Sequence, residues 1–243
     1  MPFPLAVLVS GSGSNLQSIL DKIQVGAIDA EVRVVLSNKP GAYGLERARK
    51  LGIKAEAVPH SAFPTREAFD AELVRIINNH GIGVGQGAVL LAGFMRMLTP
   101  EFLRAFPQRV LNIHPALLPS FPGTHGAADA AAYGVRLAGC SVHFVDEIMD
   151  HGPVVIQAAV PTQPGEGGEA LAARILKLEH CIYPQAVSWL AQGRLSIRGR
   201  HVHVAGASPA CLGDAAQPYM TSPGLEPGFL PAPPDAAGLM QQT

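Results

Sequence analysis

Cysteine is scarce in this chain: among 243 residues only Cys140, Cys181 and Cys211 carry thiols. An odd count without paired spacing excludes a disulfide framework, presents no zinc-ligand pattern, and points to a reducing, cytoplasmic compartment. Excess charge is lacking as well. Eighteen basic residues balance nineteen acidic ones, for a formal net charge of -1, so neither nucleic acid nor an anionic membrane is expected as a partner. No apolar run approaches the roughly 18 residues of a membrane span. Met1-Pro2-Phe3-Pro4 has no basic segment ahead of the first apolar stretch, so no secretion signal is expected.

Hydrophobic residues are abundant, at 48% of the chain. In the first half, strand-like and helix-like stretches alternate. Predicted strands run over Leu5–Val9, Val32–Leu36, Ile53–Val58, Ala88–Leu91 and Val110–Ile113, and predicted helices over Asn15–Val25, Leu45–Leu51 and Arg66–Asn79. In the last helix Phe69, Leu73, Ile76 and Ile77 recur with helical period. Apolar strands alternating with helices imply a Rossmann-like α/β fold, a mostly parallel sheet flanked by helices on both faces. Ligands on such sheets sit at the carboxyl ends of the strands, where the loops at Gly11, Gly93 and His114 should gather. The second half turns antiparallel: Ser141–Val145 and Val154–Val160 are joined by a short loop. A long helix over Gly168–Gln192 is predicted to kink or break at Pro184, and Leu195–Val204 supplies one or two further antiparallel strands. From Gly206 onward Pro, Gly and Ala dominate without periodicity. Residues 1–204 therefore read as the folded domain and 205–243 as an irregular or disordered tail.

The run from Leu111 to Pro119, Leu-Asn-Ile-His-Pro-Ala-Leu-Leu-Pro, carries the chemistry. Alternate residues of a strand point the same way, so Asn112 and His114 face one cleft. An amide can donate to a developing oxyanion, and an imidazole can exchange a proton near neutral pH. Asp150, in Asp-His-Gly-Pro after the next strand, supplies a carboxylate. Together the three point to acyl-type transfer. Asp146 and Glu147 are alternative carboxylate partners, His125 and His151 weaker cleft candidates, and His143 reads as a structural histidine.

Other stretches admit two readings. Ser10-Gly11-Ser12-Gly13-Ser14-Asn15 suits either an anion site at a helix start or a plain strand–helix turn. It is no dinucleotide fingerprint, because Leu16 occupies the last glycine position and Ser37-Asn38-Lys39 follows the second strand; no nicotinamide is expected. Leu91 to Leu98, with Gly93, Phe94, Met95 and Met97, suits either a flat aromatic ligand or core packing. His180 has no companion ligands, so no metal is expected. Arg66 reads as a surface charge, and Gly81 to Gly87 as a flexible loop.

With these segments in hand, the chain resembles the glycinamide ribonucleotide formyltransferases, folate-dependent enzymes of purine synthesis. The resemblance rests on Gly11-Ser-Gly-Ser-Asn-Leu-Gln17, Ser37-Asn-Lys39, Leu91-Ala-Gly-Phe-Met-Arg96, Leu111-Asn-Ile-His-Pro115, Leu117-Leu-Pro119, Phe121-Pro-Gly123, Gly139-Cys-Ser-Val-His-Phe-Val145 and Glu179-His-Cys-Ile-Tyr-Pro184. They fall in the family's order over roughly residues 5 to 200.

The resemblance implies the formyltransferase fold, with residues 1–204 as its catalytic domain. It also implies formyl transfer from 10-formyltetrahydrofolate, a co-substrate, to the amine of glycinamide ribonucleotide. Asn112, His114 and Asp150 match the catalytic positions. Gly13, Ser14, Asn15, Arg66 and Glu179 match ribonucleotide-binding positions. Met95, Arg96, Met97 and Leu98 would line the pterin pocket, with Asp146 and Glu147 on its other side. The expected protein is a monomer or weak homodimer that uses no metal. Gly81 to Gly87 departs from the family as a longer, glycine-rich lead into a strand. A formyl-folate hydrolase would carry an N-terminal regulatory domain, and a methionyl-tRNA formyltransferase a basic C-terminal domain. A binding module would not need all three catalytic residues.

Overall fold

The structure, a computed structural model, describes residues 1–214 and 217–232. In chain order the elements are β1 (Phe3–Val9), α1 (Ser14–Gln24), β2 (Ala30–Ser37), α2 (Tyr43–Lys50), β3 (Lys54–Ala57), α3 (Arg66–Asn79), β4 (Ala88–Leu91), α4 (Pro100–Ala105), β5 (Val110–His114), α5 (Gly126–Tyr133), β6 (Leu137–Phe144), β7 (Val154–Pro161), α6 (Gly168–Ala191), β8 (Leu195–Arg198), β9 (His201–Val204), β10 (Cys211–Leu212) and β11 (Met220–Ser222). A one-turn 3-10 helix, His60–Ala62, follows β3.

Nine strands form one sheet in the order β10-β11-β7-β6-β5-β4-β1-β2-β3. The run β3-β2-β1-β4-β5 is parallel. β6, β7, β11 and β10 continue it antiparallel. β8 and β9 form a separate antiparallel hairpin. The parallel part is apolar on both faces because both are covered. In β1, Leu5, Val7 and Val9 join the core under α1 and α6, while Ala6 and Leu8 join the core under α3 and α4. The chain leaves β1 for β2 on one side and later fills β4 on the other, so a crevice opens at the carboxyl ends of β1 and β4.

Local chemistry sets the helix starts. Thr65 accepts from Ala68 N at 3.1 Å and caps α3, and Thr99 accepts from Phe102 N at 3.3 Å and caps α4, with Pro100 opening the helix. The predicted break at Pro184 is corrected, since α6 runs unbroken from Gly168 to Ala191. An interior proline costs about 3 kcal/mol. Tyr183 and Trp189, both fully buried against the sheet, offset that cost by packing.

β11 pairs antiparallel with β7, placing Thr221 opposite Ala158. Leu225 and Phe229 are buried in the α6-side core. Trp189 Nε1 donates to Glu226 Oε1 at 2.9 Å, and Arg194 Nη2 contacts the same oxygen at 2.9 Å. Residues 205–214 and 217–232 thus form a strap of largely irregular chain that carries β10, β11 and buried side chains. The irregular or disordered reading for residues 215–216 and 233–243 lies outside the described residues. The Gly81–Gly87 stretch is a turn closed by Gly83 and Gln86, packed beside Pro4 at the amino end of β4.

Candidate active site

β5 brings Asn112 and His114 to the carboxyl edge of the sheet, and both line one cleft of about 230 Å³. Asp150 reaches the same cleft from the loop between β6 and β7. Asp150 Oδ2 lies 3.5 Å from His114 Nδ1, and Oδ1 lies 3.8 Å from His143 Nε2. The carboxylate also accepts from Gly123 N at 2.8 Å. Its backbone has φ 51°, a left-handed conformation in which Asp is tolerated better than most residues. His114 Nε2 donates to the Phe121 carbonyl at 2.9 Å. Oxygen atoms therefore face both ring nitrogens.

His143 belongs to this cluster, although its sequence context reads as structural. It lines the cleft directly opposite Asn112 in the β5–β6 ladder. Its Nδ1 donates to the Phe144 carbonyl at 2.9 Å, which leaves Nε2 as an acceptor for Asn112 Nδ2 at 3.2 Å. Burial holds the His143 pKa below its ordinary value, against the opposing pull of the Phe144 hydrogen bond and Asp150. The neutral ring therefore takes one Asn112 amide hydrogen and leaves the other free for a ligand. The signal was the strand register: a histidine paired across from a catalytic strand residue faces the same side.

Buried polar groups hold the surrounding loops. Ser141 Oγ donates to Ala116 O at 2.7 Å and accepts from Leu118 N at 3.0 Å, fixing the chain just after His114. Tyr183 Oη lies 3.1 Å from both Leu91 O and Leu111 O, tying α6 to the ends of β4 and β5. At Gly152 a Cβ would fall 1.8 Å from the Phe144 carbonyl oxygen, so only glycine lets the Asp150 loop lie this close to β6.

The residues expected at a pterin do gather. Met95, Arg96, Met97, Leu98, Asp146 and Glu147 line the cleft together with Ile148 and Met149, which sequence reasoning did not single out. The Arg96 guanidinium sits 5.5 Å over the Phe69 ring, and its Nε is buried without a partner. Asp146 pairs with His151 at 2.9 Å, so the carboxylate beside His114 is that of Asp150. His125 and His151 do not line the cleft.

Gly13 ends the β1–α1 turn as the N-cap, and Ser14 and Asn15 open α1. Gly13 has φ 69°, and a Cβ there would lie 2.6 Å from Gly44 Cα. Asn15 Nδ2 donates to Glu179 Oε2 at 2.7 Å, bringing α6 to this turn. Burial raises the Glu179 pKa, opposed by that hydrogen bond. Asn15 Oδ1 is buried without a hydrogen-bond partner among the described residues. Ser10 Oγ donates to Asn38 Oδ1 at 2.6 Å and accepts from Met95 N at 2.8 Å, so one buried hydroxyl links the turn to the cleft. Arg66 is exposed at the start of α3 and does not line the cleft. Among the described residues no His, Cys, Asp and Glu group has the geometry of a metal site.

Known proteins resemble this chain over most of its length. The formyl transferase family pattern matches residues 4–187. The phosphoribosylglycinamide formyltransferase of Escherichia coli (strain K12) is 47% identical over 193 residues, covering 79% of this chain and 89% of that protein. The trifunctional purine biosynthetic protein adenosine-3 of Drosophila pseudoobscura pseudoobscura is 46% identical over 193 residues, and there the chain spans only 14% of the longer protein. The crystal structure of glycinamide ribonucleotide transformylase 1 from Symbiobacterium toebii superposes with TM-score 0.80 at 48% identity, covering 84% of this chain and 94% of that one.

Proposed function

The chain belongs to the formyl transferase family, and on that premise we propose that it moves the formyl group of 10-formyltetrahydrofolate to the amine of glycinamide ribonucleotide. It is a formyl-transferring enzyme of purine biosynthesis. The donor and the residue roles are our reading. The observation that carries them is the convergence of Asn112, His114 and Asp150 at one end of a cleft lined by Met95 to Leu98.

The amine nitrogen attacks the formyl carbon, a C–N bond forms, and negative charge develops on the formyl oxygen. The free Asn112 amide hydrogen and a His114 N–H stabilise that charge. Asp150 holds the His114 imidazolium and accepts the proton lost by the amine, directly or through water. The bond from the carbon to N10 of the folate then breaks, and N10 takes up the proton that Asp150 accepted from the amine, directly or through water. Gly13, Ser14 and Asn15 cradle the ribonucleotide phosphate with helix-start N–H groups, and Glu179 meets the same substrate from α6. Arg66 is a further ribonucleotide contact, which its exposed position allows. Met95, Arg96, Met97, Leu98, Asp146 and Glu147 hold the pterin. The partners are these two small molecules, with no nucleic acid or membrane. The proposal also includes a monomer or weak homodimer, a cytoplasmic location and a reaction that uses no metal.

The test mixes purified protein with glycinamide ribonucleotide and a 10-formyl folate and follows deformylated folate by absorbance. Release that requires the ribonucleotide and disappears in Asn112→Ala or His114→Ala is the expected result. Release that ignores the ribonucleotide would make the protein a hydrolase and overturn the assignment.

A further inference from the structure

The loop that carries Asp150 is held from outside by the β8–β9 hairpin, which follows the segment matched by the family pattern. The hairpin closes through the two-residue turn Gly199-Arg200, since Arg198 pairs with His201. Gly199 has φ 62°, which suits a tight hairpin turn and presents Arg200 at the tip. There Arg200 Nη2 donates to the His151 carbonyl at 2.6 Å, and Nη1 lies 3.1 Å from His151 Nε2. His151 Nδ1 in turn faces Asp146 Oδ2 at 2.9 Å, and Ile148 N donates to Asp146 Oδ1 at 3.0 Å. The guanidinium thus grips the residue directly after Asp150 by both backbone and side chain, and the grip passes to the cleft wall at Asp146.

The hairpin base is tied to the body of the fold. Arg194 Nε donates to Ala205 O at 2.7 Å, Arg194 pairs with Glu226, and Val204 is buried. From this geometry we infer that Arg200 is a positioning residue for the reaction, bracing the Asp150 loop. The inference rests on the formyl-transfer reading of the cleft. Arg200 is exposed and touches neither substrate pocket. A solvent-exposed hydrogen bond adds little to global stability, whereas a small misplacement of a catalytic carboxylate is costly.

The experiment compares the parent enzyme with Arg200→Ala and Arg200→Lys. Arg200→Ala should raise KM for the formyl folate and lower kcat, each roughly three- to tenfold, with KM for the ribonucleotide and Tm unchanged. Arg200→Lys, which keeps the charge and one arm, should recover part of the loss. Hydrogen exchange at the amides of residues 147–152 should quicken in Arg200→Ala, a readout that needs no activity. Unchanged exchange with unchanged folate kinetics would overturn the brace. A fall in Tm with both KM values rising together would also overturn it, reducing Arg200 to a general structural part. If the parent itself transfers no formyl group but the exchange still quickens, the reading of the reaction fails and the brace stands.

Discussion

Asn112 Nδ2 donates to His143 Nε2 at 3.2 Å across the β5–β6 ladder, and this contact fixes which way the Asn112 amide points. An unheld amide samples orientations that turn its oxygen toward the substrate, and that oxygen repels an oxyanion. His143 removes that freedom without touching the reacting atoms itself. His143→Ala should therefore lower kcat roughly 10- to 100-fold, somewhat less than loss of an oxyanion donor outright. KM for either substrate should shift little. Steady-state kinetics reads the split, and a change of twofold or less would end the argument.

The burial of the same histidine sets a pH dependence. Burial lowers the His143 pKa beneath its ordinary value of 6.5, so between the two values the unfolded chain binds a proton that the native protein does not. Stability should then rise with pH through that window and be lost as pH falls through it. Protonated His143 also cannot accept from Asn112, so kcat should fall on the same acid side. Urea unfolding of parent and His143→Gln at neutral and mildly acid pH checks this. The stability difference should shift in the parent's disfavour on acidification, and a constant difference would contradict it.

Glu179 carries the opposite sign. Burial raises its pKa above the ordinary 4.5, so the native state keeps a proton that the unfolded chain releases. Its contribution is most favourable below that ordinary value and is lost as pH rises through the raised one. Glu179→Gln should gain stability over the parent at neutral pH, with the gain vanishing in acid below the carboxyl's ordinary range. The variant should still bind ribonucleotide less tightly, because the carboxyl that holds Asn15 Nδ2 is replaced by an amide. Unfolding at the two pH values, with KM for the ribonucleotide, measures both effects; equal stability offsets at both would refute the titration argument.

Much of the site is legible in sequence because strand chemistry is periodic. Asn112 and His114 are two residues apart on an apolar strand, and that spacing alone puts them on one edge of the cleft. The helix over Arg66–Asn79 and the strand over Ala88–Leu91 follow from apolar spacing and flanking breakers, and both run between the expected residues. His143 was hidden because its role depends on antiparallel register with β5, a long-range property. Pro184 misled because local cost says break, whereas burial of Tyr183 and Trp189 decides for a continuous helix. Arg200 was invisible because its partner, His151, lies 49 positions away.

The strap was hidden for a different reason, and it supplies the last prediction. Proline and glycine suppress any periodic signal, yet β11 needs only three residues to pair with the edge of β7. Its anchor is Phe229, 4% exposed, with the Lys22 ammonium 5.8 Å from its ring centroid and donating to the neighbouring Gly228 carbonyl. Truncating a buried phenylalanine typically costs about 3–5 kcal/mol. A strap can partly collapse around the gap, so Phe229→Ala should cost about 3 kcal/mol by urea unfolding. Because Phe229 lies away from the residues that line the cleft, kcat and both KM values should stay at parent levels where the variant is folded. A chain ending at Gly206 should be destabilised further, since it also loses the β11 pairing and the Glu226 contacts to Trp189 and Arg194. It would also expose the unpaired edge of β7, which favours self-association. If the shortened chain unfolds at the parent's urea midpoint and stays monomeric, the strap is a passive extension and contributes nothing to the fold.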